Sequence, residues 1–152
     1  MLFLQLSGEN LKVAKAEVEG FIGKKVKVVG NLAILRATKT NFSRLAYCKA
    51  VYRFVFDCEI RQLLKRLEHY KWSSIYRKDF CLRIHGKSDF REAELAGFIW
   101  RGVRNPRVNL DKPTTRIDIF FIGSRAYAGL FLFEIEHDFE GRKAHLRPKM
   151  FP

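Results

Sequence analysis

The sequence predicts an α+β fold made of two small units, and three observations carry that expectation. Hydrophobic periodicity switches repeatedly between two and about 3.6 residues, so short strands and helices alternate along the chain. Apolar residues make up 47% and charged residues 30%, with 14 Phe, a balance that belongs to a packed core and not to a disordered chain. The 152 residues hold one ordinary domain or two small ones, and no apolar run approaches a membrane span.

The first unit begins with Leu2 to Leu6, which alternates as a short strand. Leu11, Ala14, Val18 and Phe21 then follow at helical spacing, with Ser7 or Glu9 to open the helix and Gly23 to close it. Two strands, Lys25 to Val29 and Leu32 to Ala37, are joined by Gly30-Asn31, a pair suited to the positive dihedrals of a tight hairpin. A short helix capped by Thr40 or Asn41 leads into a strand at Val51 to Phe56. Ile60, Leu63, Leu64 and Leu67 line one face of a further helix whose outer face is basic. This β-α-β-β-α-β-α order resembles a rearranged ferredoxin-like unit spanning residues 1–70.

Residues 71–79 have the polar composition of a linker, pinned by Trp72 and Ile75. From Phe80 the chain alternates as a strand, with Phe80, Leu82 and Ile84 on one face and Cys81, Arg83 and His85 on the other. A helix follows, opened by Ser88 or Asp89 and stopped by Asn105-Pro106, with Glu92 and Glu94 early and Arg101 and Arg104 late, as the macrodipole favours. Arg107 to Pro113 is extended, and two last strands meet near Gly123-Ser124. The second unit, residues 80–141, is therefore β-α-β-β, a helix over an antiparallel or mixed sheet, and residues 142–152 form a tail.

Lys and Arg number 29 against 16 acidic residues, a net charge of +13 and a pI near 10.0. The excess is even, with thirteen bases against six acids in residues 1–70 and sixteen against ten in 71–152, so both units can face one polyanion. Nucleic acid is the first partner such a charge predicts. Cys48, Cys58 and Cys81 form no C-x-x-C pair, which predicts neither a disulfide framework nor a zinc site and fits a reducing, cytoplasmic setting. The N-terminus lacks the basic and apolar regions of a secretion signal.

No glycine-rich phosphate or dinucleotide cradle and no nucleophile elbow occurs, so no catalytic residue is predicted. Glu134, Glu136, His137, Asp138, Glu140 and His145 cluster in sequence, but their spacing fixes no metal geometry and reads as a solvated strand edge. His69 and His85 are expected at the surface, and Phe120, Phe121, Phe131 and Phe133 in the core. Arg101, Arg104 and Arg107 follow one another along a helix end and the next loop, where guanidiniums can each grip a phosphate bidentately. Arg125 and Lys149 extend this candidate RNA-binding set, while dipole capping and a solvated face stand as its plain alternative. Trp100, beside Arg101, is open to either a core or a stacking role, and no motif for reading base sequence is present.

Three stretches, Phe80 to Gly86, "VNLDKP" at 108–113 and "AYAGLFLFE" at 126–134, resemble a THUMP domain, an RNA-binding module of tRNA-modifying enzymes. The preceding unit resembles the ferredoxin-like domain that accompanies it. The tail "RKAHLRPKMFP" is similar to the stretch that joins THUMP to the catalytic domain in archaeal tRNA guanosine-N2 methyltransferases, whose target lies in the D-arm at position ten. Asn105-Pro106 is followed by Arg107 and does not match that family's catalytic motif. The resemblance implies a non-catalytic tRNA-recognition region that grips the acceptor 3′ end. It also implies a methyltransferase domain in cis or in trans that uses S-adenosylmethionine, with no cofactor in this chain and no membrane partner. Whether the chain is a fragment or a stand-alone subunit stays open. Two other readings stay open as well: a basic scaffold for docking proteins, and the THUMP part of a thiouridine synthetase, pseudouridine synthase or deaminase.

Overall fold

A computed structural model describes residues 1–36 and 41–135. Expectations that concern Ala37, Thr40, the Glu136 to Glu140 cluster, His145, Lys149 and the 142–152 tail lie outside the described residues. The first unit comprises β1 (Leu2–Leu6), α1 (Leu11–Ile22), β2 (Lys27–Val29), β3 (Leu32–Leu35), β4 (Cys48–Glu59) and α2 (Leu63–His69). The second comprises β5 (Phe80–His85), α3 (Glu92–Gly102), β6 (Thr115–Ile122) and β7 (Arg125–Glu134). The α+β class is as the periodicity predicts.

All seven strands form one mixed sheet in the order β2-β3-β1-β4-β7-β6-β5. The ladder between β4 and β7 runs from Ala50 opposite Glu134 to Glu59 opposite Arg125, and it joins the two units edge to edge. Every neighbouring pair is antiparallel except β5 and β6, because α3 carries the chain back across the sheet between them.

Local chemistry sets most element ends. Asn10, and not Ser7 or Glu9, caps α1 by accepting a hydrogen bond from the Val13 amide at 3.2 Å. Gly23 ends it in the left-handed region with its amide on the Glu19 carbonyl. Ser88 does not cap α3, because its hydroxyl is turned into a local loop against the Phe90 amide at 2.9 Å. The helix starts after Arg91 instead. The short helix expected after residue 40 is a single 3-10 turn at Phe42–Arg44, and α2 opens with another at Ile60–Gln62. Strand β4 is twelve residues long, well beyond Val51 to Phe56, because it pairs with β1 and then with β7 through two register shifts.

The helices cover one face of the sheet. Ala14 and Val18 of α1 pack on Leu4, Leu6, Ala33 and Val51. Leu67, Leu95 and Ile99 of α2 and α3 pack on Phe80, Ile117 and Phe121. Trp72 is buried here and donates its indole N–H to the Leu67 carbonyl at 2.8 Å, which ties the 71–79 segment to α2. The three cysteines are buried, and burial pushes the Cys48 thiol up to about 12, so it stays protonated at neutral pH.

The opposite face carries no helix yet is also buried, because the sheet curls. The β2–β3 turn reaches across to β6, where a Cβ on Gly30 would lie 3.0 Å from the Ile122 side chain. Inside the curl Phe3, Tyr52, Phe120 and Tyr127 pack edge to face. Asp118 stands among them at 0% exposure. Its carboxylate accepts from Tyr52 Oη at 2.9 Å, from Arg116 Nε and Nη2 at 2.9 Å each, and meets His85 Nε2 at 2.6 Å. Burial opposes the charge, but the His85 and Arg116 hydrogen bonds outweigh it and hold the carboxyl below the usual carboxylate range. His85 is therefore a partner of a buried acid, stacked on Phe120 at 4.4 Å, and not a bare surface residue. Phe120 and Phe121 are in the core as expected, but Phe133 is 43% exposed. The register skips Leu132, placing Phe131 opposite Tyr52 and Phe133 opposite Val51, so the two rings point to opposite faces.

Tyr52 reaches Asp118 by lying across Gly129 of the intervening β7, where a Cβ would come within 2.9 Å of Tyr52 Cβ. Gly129→Ala is expected to cost about 1–3 kcal/mol by overpacking, measured by urea unfolding. Tyr52→Phe, which removes one donor from a buried charge, is expected to cost about 1.5–3 kcal/mol in the same assay.

Candidate nucleic-acid interface

The parallel β5–α3–β6 crossover brings the end of α3, the loop after it and the 71–79 segment to one end of the sheet. That loop is held by a dense set of hydrogen bonds. Asp79 accepts from the Thr114 amide at 2.6 Å, the Thr114 hydroxyl at 3.0 Å and Asn109 Nδ2 at 3.1 Å. Asn109 Oδ1 in turn accepts from the Asp111 and Lys112 amides at 3.1 Å each, a side-chain turn that shapes the "VNLDKP" stretch. The amide of Phe80 donates to the Arg107 carbonyl and the Phe80 carbonyl accepts from the Asn109 amide, so residues 107–109 lie alongside the start of β5. Tyr76 closes the loop from the other side. Its hydroxyl accepts from the Arg107 amide at 3.0 Å and donates to the Lys78 carbonyl at 2.9 Å.

Between these parts lies an open cleft of about 500 Å³ lined by Ser73, Tyr76, Arg77, Arg101, Val103 and Arg104. Arg101 is braced by its guanidinium over the Phe98 ring at 4.7 Å. Arg107 flanks the cleft through its bond to Tyr76. Among the described residues the ion pairs are Arg61–Glu59, His85–Asp118, Arg116–Asp118 and Arg125–Asp57, so the guanidiniums of the cleft are left with uncompensated charge. Three guanidiniums on a braced frame, with the Arg107 main chain beside them, suit a polyanion, and the Ser73 hydroxyl adds a donor for its oxygens.

The structure thus brings Arg101 and Arg104 together and adds Arg77, Ser73 and Tyr76, which the linker-like sequence conceals, while Arg107 meets the cleft through its main-chain amide on Tyr76. Arg125 is elsewhere. It sits where β7 begins, at the opposite end of β6 from Thr115, a strand length of roughly 20 Å away, and donates to Asp57 at 2.7 Å. Lys149 lies outside the described residues. No group of three or more His, Cys, Asp or Glu suited to a metal occurs among the described residues. The strand-to-helix connection after β5 does not fit a cofactor cradle either, since the open side of Gly86 faces the Phe121 carbonyl, 2.5 Å from where a Cβ would stand.

No family model and no curated protein matches the chain. Solved structures do. TrmN from Thermus thermophilus superposes with a TM-score of 0.67 at 18% identity over 97% of this chain and 50% of its own. A 4-thiouridine synthetase–RNA complex with bound ATP gives 0.57 at 13% identity over 89% and 41%. A protein described as "a possible methylase" from Clostridium difficile 630 gives 0.61 at 12% over 86% and 40%. The chain spans half or less of the length of each of these three. At these identities the likeness is one of fold, an α+β sheet consistent with a ferredoxin-like unit followed by a THUMP unit.

The Asp79 clasp has a pH signature. Hydrogen bonds from the Thr114 backbone and from Asn109 hold its carboxyl below the ordinary range. Its contribution is therefore complete above the unfolded value near 4 and is lost as pH falls through the lower folded value. Asp79→Asn is expected to flatten part of the fall in melting temperature between pH 5 and pH 3 and to lower stability at pH 7, as read by thermal unfolding across that range.

Proposed function

We propose that this chain is the tRNA-gripping region of a tRNA-modifying enzyme, and that the enzyme is a guanine-N2 methyltransferase. The single observation that carries the RNA reading is the cleft in which Arg77, Arg101 and Arg104, flanked by the Arg107 main chain, gather beside a braced loop with no acidic partner among the described residues. The shared fold supports placing that cleft in RNA modification, because one similar structure is a 4-thiouridine synthetase bound to RNA and another is described as "a possible methylase". The tail resemblance supports the guanosine-N2 target among the chemistries that use this fold.

In this reading the arginines hold backbone phosphates near the acceptor 3′ end and fix the position of the tRNA without reading its sequence. Methyl transfer belongs to a catalytic unit in cis or in trans. S-adenosylmethionine supplies the methyl group there, and this chain contributes orientation alone.

The test is a titration with full tRNA and with the same tRNA lacking its single-stranded 3′ end, at several salt concentrations. With four phosphates engaged, log affinity is expected to fall with log salt at a slope of about −3 for intact tRNA, and trimming is expected to weaken binding. Arg101→Ala with Arg104→Ala is expected to reduce the slope by about 1.4, while Arg125→Ala leaves it unchanged. Affinity flat with salt would overturn the proposal.

A further inference from the structure

A second recess lies on the other side of the α3 terminus, and nothing in the cleft chemistry uses it. It is an apolar groove of about 500 Å³ whose floor is β5, the border strand of the sheet, with α3 as one wall and the loop around Val108 and Leu110 as the other. The helix wall presents Ala96, Gly97 and Trp100. Trp100 is 48% exposed and Leu110 65% exposed, a large apolar surface to leave in water on so basic a chain. Arg83 fixes the far wall by donating from Nη2 to the Leu110 carbonyl at 2.9 Å. Both main-chain groups of Phe80 bond outward to residues 107 and 109, so strand alternation directs the N–H and C=O of Leu82 the same way, along the groove.

Consecutive residues divide the two recesses: Trp100 lines the apolar groove and Arg101 the basic cleft. A single unpaired nucleic-acid strand has the same division, phosphates on one side and flat apolar bases on the other. We infer that the β5–α3 groove is a slot for unpaired nucleobases, in which a base stacks on Trp100 and presents its polar edge to the main chain of β5 while its phosphates lie on Arg101 and Arg104. This inference rests on the proposed RNA-binding reading. Charge complementarity favours a nucleotide strand over a peptide, since Arg83 and the arginines of the adjoining cleft border the groove and only Glu92 opposes them.

Two strands of equal length test it on the whole chain: a short single-stranded oligoribonucleotide and its abasic sugar-phosphate counterpart, each fluorescein-labelled for anisotropy. Tryptophan emission is followed as well, and because Trp72 is buried, quenching reports Trp100. The base-bearing strand is expected to quench the emission and to bind about 10-fold or more tighter than the abasic one. Trp100→Ala is expected to erase that difference while keeping the abasic affinity, and Trp100→Phe to restore most of it. Equal binding of both strands without quenching would overturn the slot and leave the arginine cleft standing. Binding of neither strand would overturn the RNA reading and the slot together. Quenching by an extended valine-rich heptapeptide, with none by the RNA, would overturn the slot in favour of strand addition by a protein.

Discussion

A carboxylate with no exposed surface, Asp118, is the constraint around which both units are arranged. A buried charge of this kind is tolerated only when its lone pairs are filled, and here four hydrogen bonds from three side chains fill them. The donors come from β4, β5 and β6, so the requirement to satisfy one acid fixes the lateral register of strands far apart in sequence. Tyr52 is the donor that crosses from the first unit, and it can do so only because β7 offers Gly129 beneath it. Arg116 closes the group by stacking on Phe131 at 4.4 Å, so the charge sits under an aromatic lid instead of facing water.

The basic cleft depends on a different economy, built from local turns. Asn109, Thr114 and Asp79 satisfy the polar groups of a loop that has no regular structure, and Tyr76 anchors it to the segment between the units. The loop can then present arginines whose charges are not spent on folding. The Asp79 carboxylate is taken up by Thr114 and Asn109 and pairs with none of the arginines of the cleft.

How much of this could be read along the chain follows from how local each feature is. Arg101 and Arg104 are neighbours in sequence and line one cleft, so spacing alone groups them. Arg77 and Tyr76 join them through contacts about thirty residues distant, which a polar stretch such as "KWSSIYRKD" gives no sign of. Asp118 alternates with Ile117 and Ile119 and therefore reads as a solvent-facing position of a half-buried strand. It is buried because the sheet curls, bringing the Gly30 turn of β2 and β3 against Ile122 of β6 over the three strands between them. The hint available was an acid between apolar neighbours, two residues from Arg116 on the same strand, with His85 at the end of β5 as a second natural partner. Element types were legible from periodicity, whereas the parallel β5–β6 pairing, the length of β4 and the bulge at Leu132 are settled by pairing between strands.

The uninterrupted ladder from β2 to β5 carries one more consequence. Six strand spacings separate the outermost strands, roughly 29 Å measured along the sheet. No unpaired connection interrupts them, so the two borders cannot swing against each other as hinged domains do. A body bound at the β2 border and another held beside β5 would keep one fixed offset, set by the curl of the sheet together with its count of strands.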